Sequence, residues 1–268
     1  MKNYTMKMAL VTALFGSQIV LAADVADAAK QLANPIANLI SLPIQVNYQQ
    51  NLGFDDKGDK WLTNIQPVIP FEVNDEWNVI SRTIIPLISQ DNGISTTNAV
   101  GDIVQSAWLS PKLPTENGWI WGAGAALLIP TNSDLSAEKW GVGPTFVALK
   151  QSGPWTYGGL TNHLWSFAGN DVTDTNGAVL NNVNQTFMQP FLTYITPKAV
   201  TFAFNTETIY DWERDQWTVP LNFSVTKVTK IGSQLISYGA GVTYWAEAAD
   251  NGPEGWGARF ILTFIFPK

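Results

Sequence analysis

The stretch Trp256-Gly-Ala-Arg-Phe-Ile-Leu-Thr-Phe-Ile-Phe266 decides the fold. Ala258, Phe260, Leu262, Phe264 and Phe266 fall on one face, and Gly257, Arg259, Ile261, Thr263 and Ile265 on the other. A period of two sustained over this length is a strand signal. Three phenylalanines and a leucine on one side, with an arginine on the other, suit a strand that has hydrocarbon outside and a wetter interior. Hydrocarbon offers no water to unpaired N–H and C=O groups, so such a strand must pair on both edges, the last with the first. The stretch predicts the closing stave of a transmembrane, antiparallel, up-and-down β-barrel. A strand of a large soluble all-β protein is the alternative.

The bulk composition favours the barrel. Of the 268 residues, 46% are hydrophobic and only 14% charged, against about 25% charged in an average soluble domain. Trp 12, Tyr 7 and Phe 13 supply the residues that form interfacial girdles. With no cysteine the fold needs no disulfide. Residues 1–23 read as a signal peptide: Lys2 and Lys7 precede an apolar run, and Ala22 and Ala23 are small residues of the kind found at cleavage sites. Removing them leaves 13 basic and 22 acidic residues, a net charge of −9, which excludes a basic nucleic-acid-binding face. No later run approaches the length of a membrane helix.

Residues 24–40 differ from the rest of the mature chain. Val25, Ala28, Ala29, Leu32, Ile36 and Leu39 recur at helical spacing, interrupted by Pro35. They form either a short helix in the barrel mouth, acting as an N-terminal periplasmic or plug segment, or a disordered leader. From residue 41 the period becomes two, defining a barrel over 41–268. The clearest strand is 216–227, with Trp217, Val219, Leu221, Phe223 and Val225 outside and Thr218, Asn222, Ser224 and Thr226 inside. About twelve strands result, with short turns alternating with longer loops, residues 90–101 among the latter. The long connections are acidic, from Asp55 and Asp56 to Asp250 and Glu254, whereas Lys112, Lys150, Lys198, Lys227 and Lys230 mark the short turns. Outer-membrane barrels put short turns on the periplasmic side and long loops outside. Two features resist the pattern. Pro43, Pro67, Pro70, Pro86, Pro190 and Pro220 fall within strands, where each removes a ladder donor. The strands around Val142 and Trp155 do not alternate cleanly, so their facing stays open.

Several segments resemble one family in order along the chain: Asn34-Pro-Ile-Ala-Asn-Leu-Ile-Ser-Leu-Pro43, Asn64-Ile-Gln-Pro-Val-Ile-Pro-Phe71, Arg82-Thr-Ile-Ile-Pro86, Gly153-Pro-Trp-Thr-Tyr-Gly158, Gln216-Trp-Thr-Val-Pro-Leu-Asn222 and Gly252-Pro-Glu-Gly-Trp-Gly257. The chain is similar to the bacterial transporter-like outer-membrane proteins grouped with the phenol meta-degradation pathway protein, which genomes often mislabel neuromedin U. The resemblance spans nearly all of the mature chain. It implies a β-barrel in the outer membrane of a Gram-negative bacterium, and says far less about any solute.

Little in the sequence carries bond-breaking chemistry. The one histidine, His163, has Ser166 three residues along, on the opposite face of the same strand. No enzyme is expected; a lipid-acting outer-membrane enzyme centred on His163 is the least favoured reading. Asp55-Asp-Lys-Gly-Asp59 has the oxygens of a cation site without EF-hand spacing and reads as a solvated acidic loop. No metal and no cofactor are expected. The chemistry left belongs to the lumen, whose predicted lining includes Gln45, Asn47, Gln49, Asn64, Gln66, Glu72, Arg82, Asp102, Asn205, Glu207, Asn222 and Arg259. Arg82, Asp102, Glu207 and Arg259 are the expected charges along a route. An amide-rich lining with both charge signs suits passive passage of small polar or amphipathic, including aromatic, molecules; a closed structural or surface-interaction barrel is the alternative. Expected partners are outer-membrane lipid and lipopolysaccharide, the barrel-assembly machinery and an unidentified small solute, with no nucleic acid.

Overall fold

The computed structural model describes residues 25–267 except 54, 174 and 177. The expected signal peptide, residues 1–23, lies outside the described residues. Among the described residues one helix, α1 (residues 25–32), precedes fifteen strand segments. These are β1 (Ile40–Leu52), β2 (Gly58–Ile65), β3 (Val68–Glu72), β4 (Trp77–Asp91), β5 (Thr96–Val100), β6 (Ile103–Pro111), β7 (Trp119–Ile129) and β8 (Lys139–Ser152), then β9 (Trp155–Gly169), β10 (Asn184–Ile195), β11 (Val200–Thr206), β12 (Thr208–Asp211), β13 (Gln216–Ile231), β14 (Gln234–Glu247) and β15 (Gly255–Phe266). The pairs β2/β3, β5/β6 and β11/β12 are each one stave with a local interruption, so the ring has twelve staves, all antiparallel. Of residues 90–101, expected as a loop, 90–91 and 96–100 instead pair as the end of β4 and β5, leaving 92–95 as the turn between them.

The ring closes. β15 runs against β1 from Ile40↔Phe266 to Tyr48↔Ala258, and against β14 on its other edge. The terminal strand therefore meets the first along nine residue pairs, as its two-faced pattern requires. Long connections gather at one end of the barrel and short ones at the other, where Gly153 (φ 57) and Gly232 (φ 62) occupy the left-handed backbone region of two-residue turns.

The prolines find their explanation in the interruptions. The carbonyl of Pro43 accepts from Gln66 N (2.8 Å) at the gap between β2 and β3, so its missing N–H faces a ladder already broken there. Pro67 occupies that gap. Pro86 accepts from Gly101 N (2.8 Å), where β5 and β6 are separated by Gly101 and Asp102 and the register slips by one residue. Pro70 lies two residues past the Ser41↔Val68 pair, near the end of β3. Pro190 sits between the Met188↔Thr208 and Phe191↔Asn205 pairs, and Pro220 at a register shift against β14; both border Glu207, between β11 and β12. A closed barrel thus tolerates proline by aligning its missing donors at shared gaps.

Outside, apolar side chains form a belt. Phe146, Leu192, Phe204, Phe223, Val242 and Phe260 are all exposed. Aromatic pairs flank it at both ends: Trp119–Tyr157 and Trp155–Tyr194 toward the short turns, Tyr48–Trp61, Tyr210–Trp217 and Tyr244–Trp256 toward the long loops. Inside, the packing is less uniform than the sequence suggests. α1 and its extension place Ala28, Ala29, Ala37 and Leu39 against Ala199, Val228, Leu235 and Ile265 at the short-turn end. Asn34 and Pro35 end the helical run, and Asn34 Oδ1 accepts from Ile36 N (3.0 Å). That turn aims Ile36 into a second cluster with Ile80, Trp108, Val147, Leu149 and Leu160. The strands whose facing was open, β8 and β9, therefore have apolar residues on both faces. Phe146 points out and Val147 in, because the inner face packs on the N-terminal segment and on Trp108 rather than on water.

Candidate functional site: the barrel lumen

The interior divides into three connected cavities. The first, about 290 Å³, lies between the N-terminal segment, which contributes Ala29, Leu32, Ala37 and Leu39, and a barrel wall of mostly amides and hydroxyls, among them Gln45, Gln66, Thr193, Thr201, Ser224 and Thr226. The second, also about 290 Å³, lies toward the long loops and is mostly apolar: Ile84, Val104, Leu128, Leu164, Phe187 and Ile209, with Asn162, Gln185 and Asp102. The third, about 200 Å³, contains Asn47, Gln49, Asn64, Glu207, Thr243 and Arg259. Arg82 lines both the first and the second cavity; Phe187 and Ile209 line both the second and the third.

Four predicted lumen residues join in one polar cluster. Arg259, almost fully buried on β15, donates through both terminal nitrogens to Glu207 (3.0 and 2.9 Å) and through Nε to Asn47 Oδ1 (2.7 Å). Asn47 also accepts from Gln45 Nε2 (3.3 Å) and donates to Leu62 O (3.1 Å). The two-point Arg–carboxylate geometry is the strong, directional kind. It spans the inner face across β13 and β14, from the closing stave to the gap bordered by Pro190 and Pro220. The interruption at Glu207 thus coincides with the carboxylate that the arginine holds.

Arg82 is placed differently. It projects from β4, and its guanidinium carbon stands 5.4 Å from the centre of the Trp108 ring. Its Nε is buried with no hydrogen-bond acceptor among the described residues. Trp108 is itself fixed: wholly buried, it donates to Thr145 Oγ1 (3.0 Å), which donates in turn to Thr161 O (3.1 Å).

Asp102 lines the apolar cavity from the bulge between β5 and β6, yet its carboxylate also organises a loop. It accepts from Thr131 N (3.3 Å), Ala137 N (2.7 Å) and the Ser136 hydroxyl. Loop 130–138 is thereby drawn inward, and Asn181 ties it to the next long loop by donating to Ala137 O (2.8 Å) and Asn170 O (2.9 Å). Lys139, buried, pairs with Asp171 at the same rim. Asn205 lies beside Asn222, whose Oδ1 accepts from Thr243 (2.7 Å). Glu72 does not join these groups; it is exposed at the short-turn rim, 3.7 Å from Lys112 Nζ.

Sequence reasoning missed Trp108, Thr145, Phe187 and Ile209, because it drew its lumen candidates from charged and amide side chains alone. The signal present was the failed alternation around Val142 and Trp155, which marks a stretch with packing on both faces. His163 points outward. Its ring nitrogens meet Thr186 Oγ1 (2.7 Å) and Asn184 Oδ1 (3.1 Å), and it packs on Trp165 at 4.0 Å. In the acidic loop Asp55 is paired with Lys57 (3.3 Å). Among the described residues no group of three His, Asp or Glu side chains converges as a metal site.

No protein-family model and no curated protein matches the chain. Solved structures do. The COG4313 outer membrane channel from Pseudomonas putida F1 superposes with a TM-score of 0.65 at 15% identity, covering 85% of this chain and 96% of that one. The NanC porin superposes with a TM-score of 0.53 at 13% identity, covering 85% and 99%. At these identities the likeness is one of fold: the chain shares the closed barrel architecture of outer-membrane channels and porins.

Proposed function

We propose that the chain resides in a bacterial outer membrane and provides passive passage for small polar or amphipathic molecules. The observation that carries this is the succession of cavities inside a closed ring, joined at Arg82 and at Phe187, within a wall whose outside is apolar and flanked by aromatic pairs. Such a belt with two girdles suits hydrocarbon between two polar interfaces, and makes membrane lipid and lipopolysaccharide its natural surroundings. Assembly by the barrel-insertion machinery belongs to the same proposal. The channel and porin likenesses in fold support it, as does the sequence resemblance to the transporter-like group of the phenol meta-degradation pathway. In this orientation the short turns and α1 lie on the periplasmic side, and the acidic loops outside.

Planar-bilayer recording tests the reading. Discrete openings whose size or ion preference changes in Arg82→Gln or Glu207→Gln are expected. A silent bilayer with correctly folded protein would instead favour a blocked structural or surface-interaction barrel. That second reading has its own observation, the burial of Ile36 and Leu39 inside the ring. Phospholipid hydrolysis by the purified protein, abolished by His163→Ala, would replace both with a lipid-acting enzyme.

A further inference from the structure

We propose that Arg82 anchors a binding site in the lumen for small organic monoanions with an aliphatic body, the charged head at the guanidinium and the tail in the apolar cavity. This deepens the passage reading by giving the solute a chemical class, and rests on it for its physiological meaning.

Charge is the first argument. The mid-lumen holds two guanidinium groups, Arg82 and Arg259. The Glu207 carboxylate facing them is committed to Arg259 by two hydrogen bonds, while among the described residues no ion pair reaches Arg82. Asp102, the acid that lines the apolar cavity, keeps its charge but has its carboxylate bonded by two backbone N–H groups and the Ser136 hydroxyl, away from the guanidinium. One positive charge is therefore left without a directly bonded counter-ion among these residues, and its Nε–H has no acceptor there. The Trp108 face offsets part of this cost but accepts no N–H···O bond. A fixed cation in low-dielectric surroundings favours an incoming anion far more than one in water does. A guanidinium matches a carboxylate in shape as well as in charge.

Shape and polarity give the rest. On one side of Arg82 lie Ile84, Val104, Leu128, Leu164 and Phe187; on the other the barrel wall presents hydroxyls and amides, facing the alanines and leucines of the N-terminal segment. An amphipath with one negative end fits this change of lining at a single point. The cavity, about 290 Å³, is at the small end of ligand-binding pockets, which limits the occupant to a short chain.

The test is calorimetric titration of the detergent-solubilised full-length barrel with hexanoate and with the neutral isostere hexanamide. Hexanoate is expected to bind the wild type, at least tenfold more weakly in Arg82→Gln, and with part of its affinity retained in Arg82→Lys. Hexanamide is expected to bind the wild type much more weakly than hexanoate. Leu164→Trp, which fills the apolar cavity and leaves Arg82 in place, is expected to weaken hexanoate binding as well. Equal affinities for hexanoate and hexanamide, or hexanoate affinity unchanged in Arg82→Gln or in Leu164→Trp, would overturn the proposal. If Arg82→Gln does not fold, the hexanamide and Leu164→Trp comparisons still decide it. A silent bilayer with intact hexanoate binding would sink the passage reading alone; a conducting barrel that ignores hexanoate would sink the site alone.

Discussion

The Arg259–Glu207 fork shows what one buried pair can do in a barrel wall. Removing one partner leaves the other in a site built for two, a loss of about 2–3 kcal/mol where a charged hydrogen-bonded group loses its mate. Glu207→Gln and Arg259→Gln are each expected to lower the unfolding midpoint in denaturant. The double variant is expected to lose less than the sum, because the two share one interaction. Strict additivity would mean that the fork contributes nothing beyond its separate members. Thr145→Val is a second test at this scale. It removes the side-chain acceptor of the buried Trp108 Nε1 and is expected to cost about 1–3 kcal/mol, read as a drop in midpoint and a shift in tryptophan fluorescence.

At the scale of elements, the wall is held by close backbone approach as much as by side chains. A Cβ added at Gly143 would stand 1.7 Å from the carbonyl oxygen of His163, so the β8–β9 ladder has no room for alanine. Gly143→Ala is expected to destabilise the barrel by about 1–3 kcal/mol, seen as loss of the compact, heat-modifiable band on a gel. The N-terminal segment depends on apolar contacts instead. Ile36→Ala removes a side chain 5% exposed from the cluster around Trp108, with an expected cost of about 2–5 kcal/mol. Strand alternation and the apolar–polar contrast of β13 and β15 were legible because, away from Val228 and Ile265 at the end packed on α1, their side chains alternate between hydrocarbon and the amide-lined part of the lumen. The facing of β8 and β9 was not, since Val147 and Leu149 meet Ile36, and that contact joins residues more than a hundred positions apart. The prolines were legible as anomalies and nothing more; that Pro43 and Pro86 sit across from breaks in neighbouring strands is a matter of register, which no single segment contains.

For the molecule as a whole, charge distribution and shape work together. Acidic long loops ring one mouth, and a helix with its apolar extension fills much of the other. Deleting residues 25–39 is expected to raise single-channel conductance several-fold while the twelve staves persist, as measured by bilayer recording and by β-type circular dichroism. Unchanged conductance would place the narrowest point elsewhere, at Arg82 and Phe187. The lumen charges Arg82, Glu207 and Arg259 stood out in the sequence as ionised groups on strands that are otherwise greasy or hydroxylated. Their pairing did not, because it depends on how far around the ring each stave lies from the next.

The junction of Leu39 and Ile40 couples the stopper to the seam. Leu39 is packed inside, while its neighbour Ile40 is already bonded to Phe266 at the place where the cylinder is sewn shut. There is no slack between the stopper and the stitching. Any tug that draws the stopper out therefore pulls directly on the first knot of that hem.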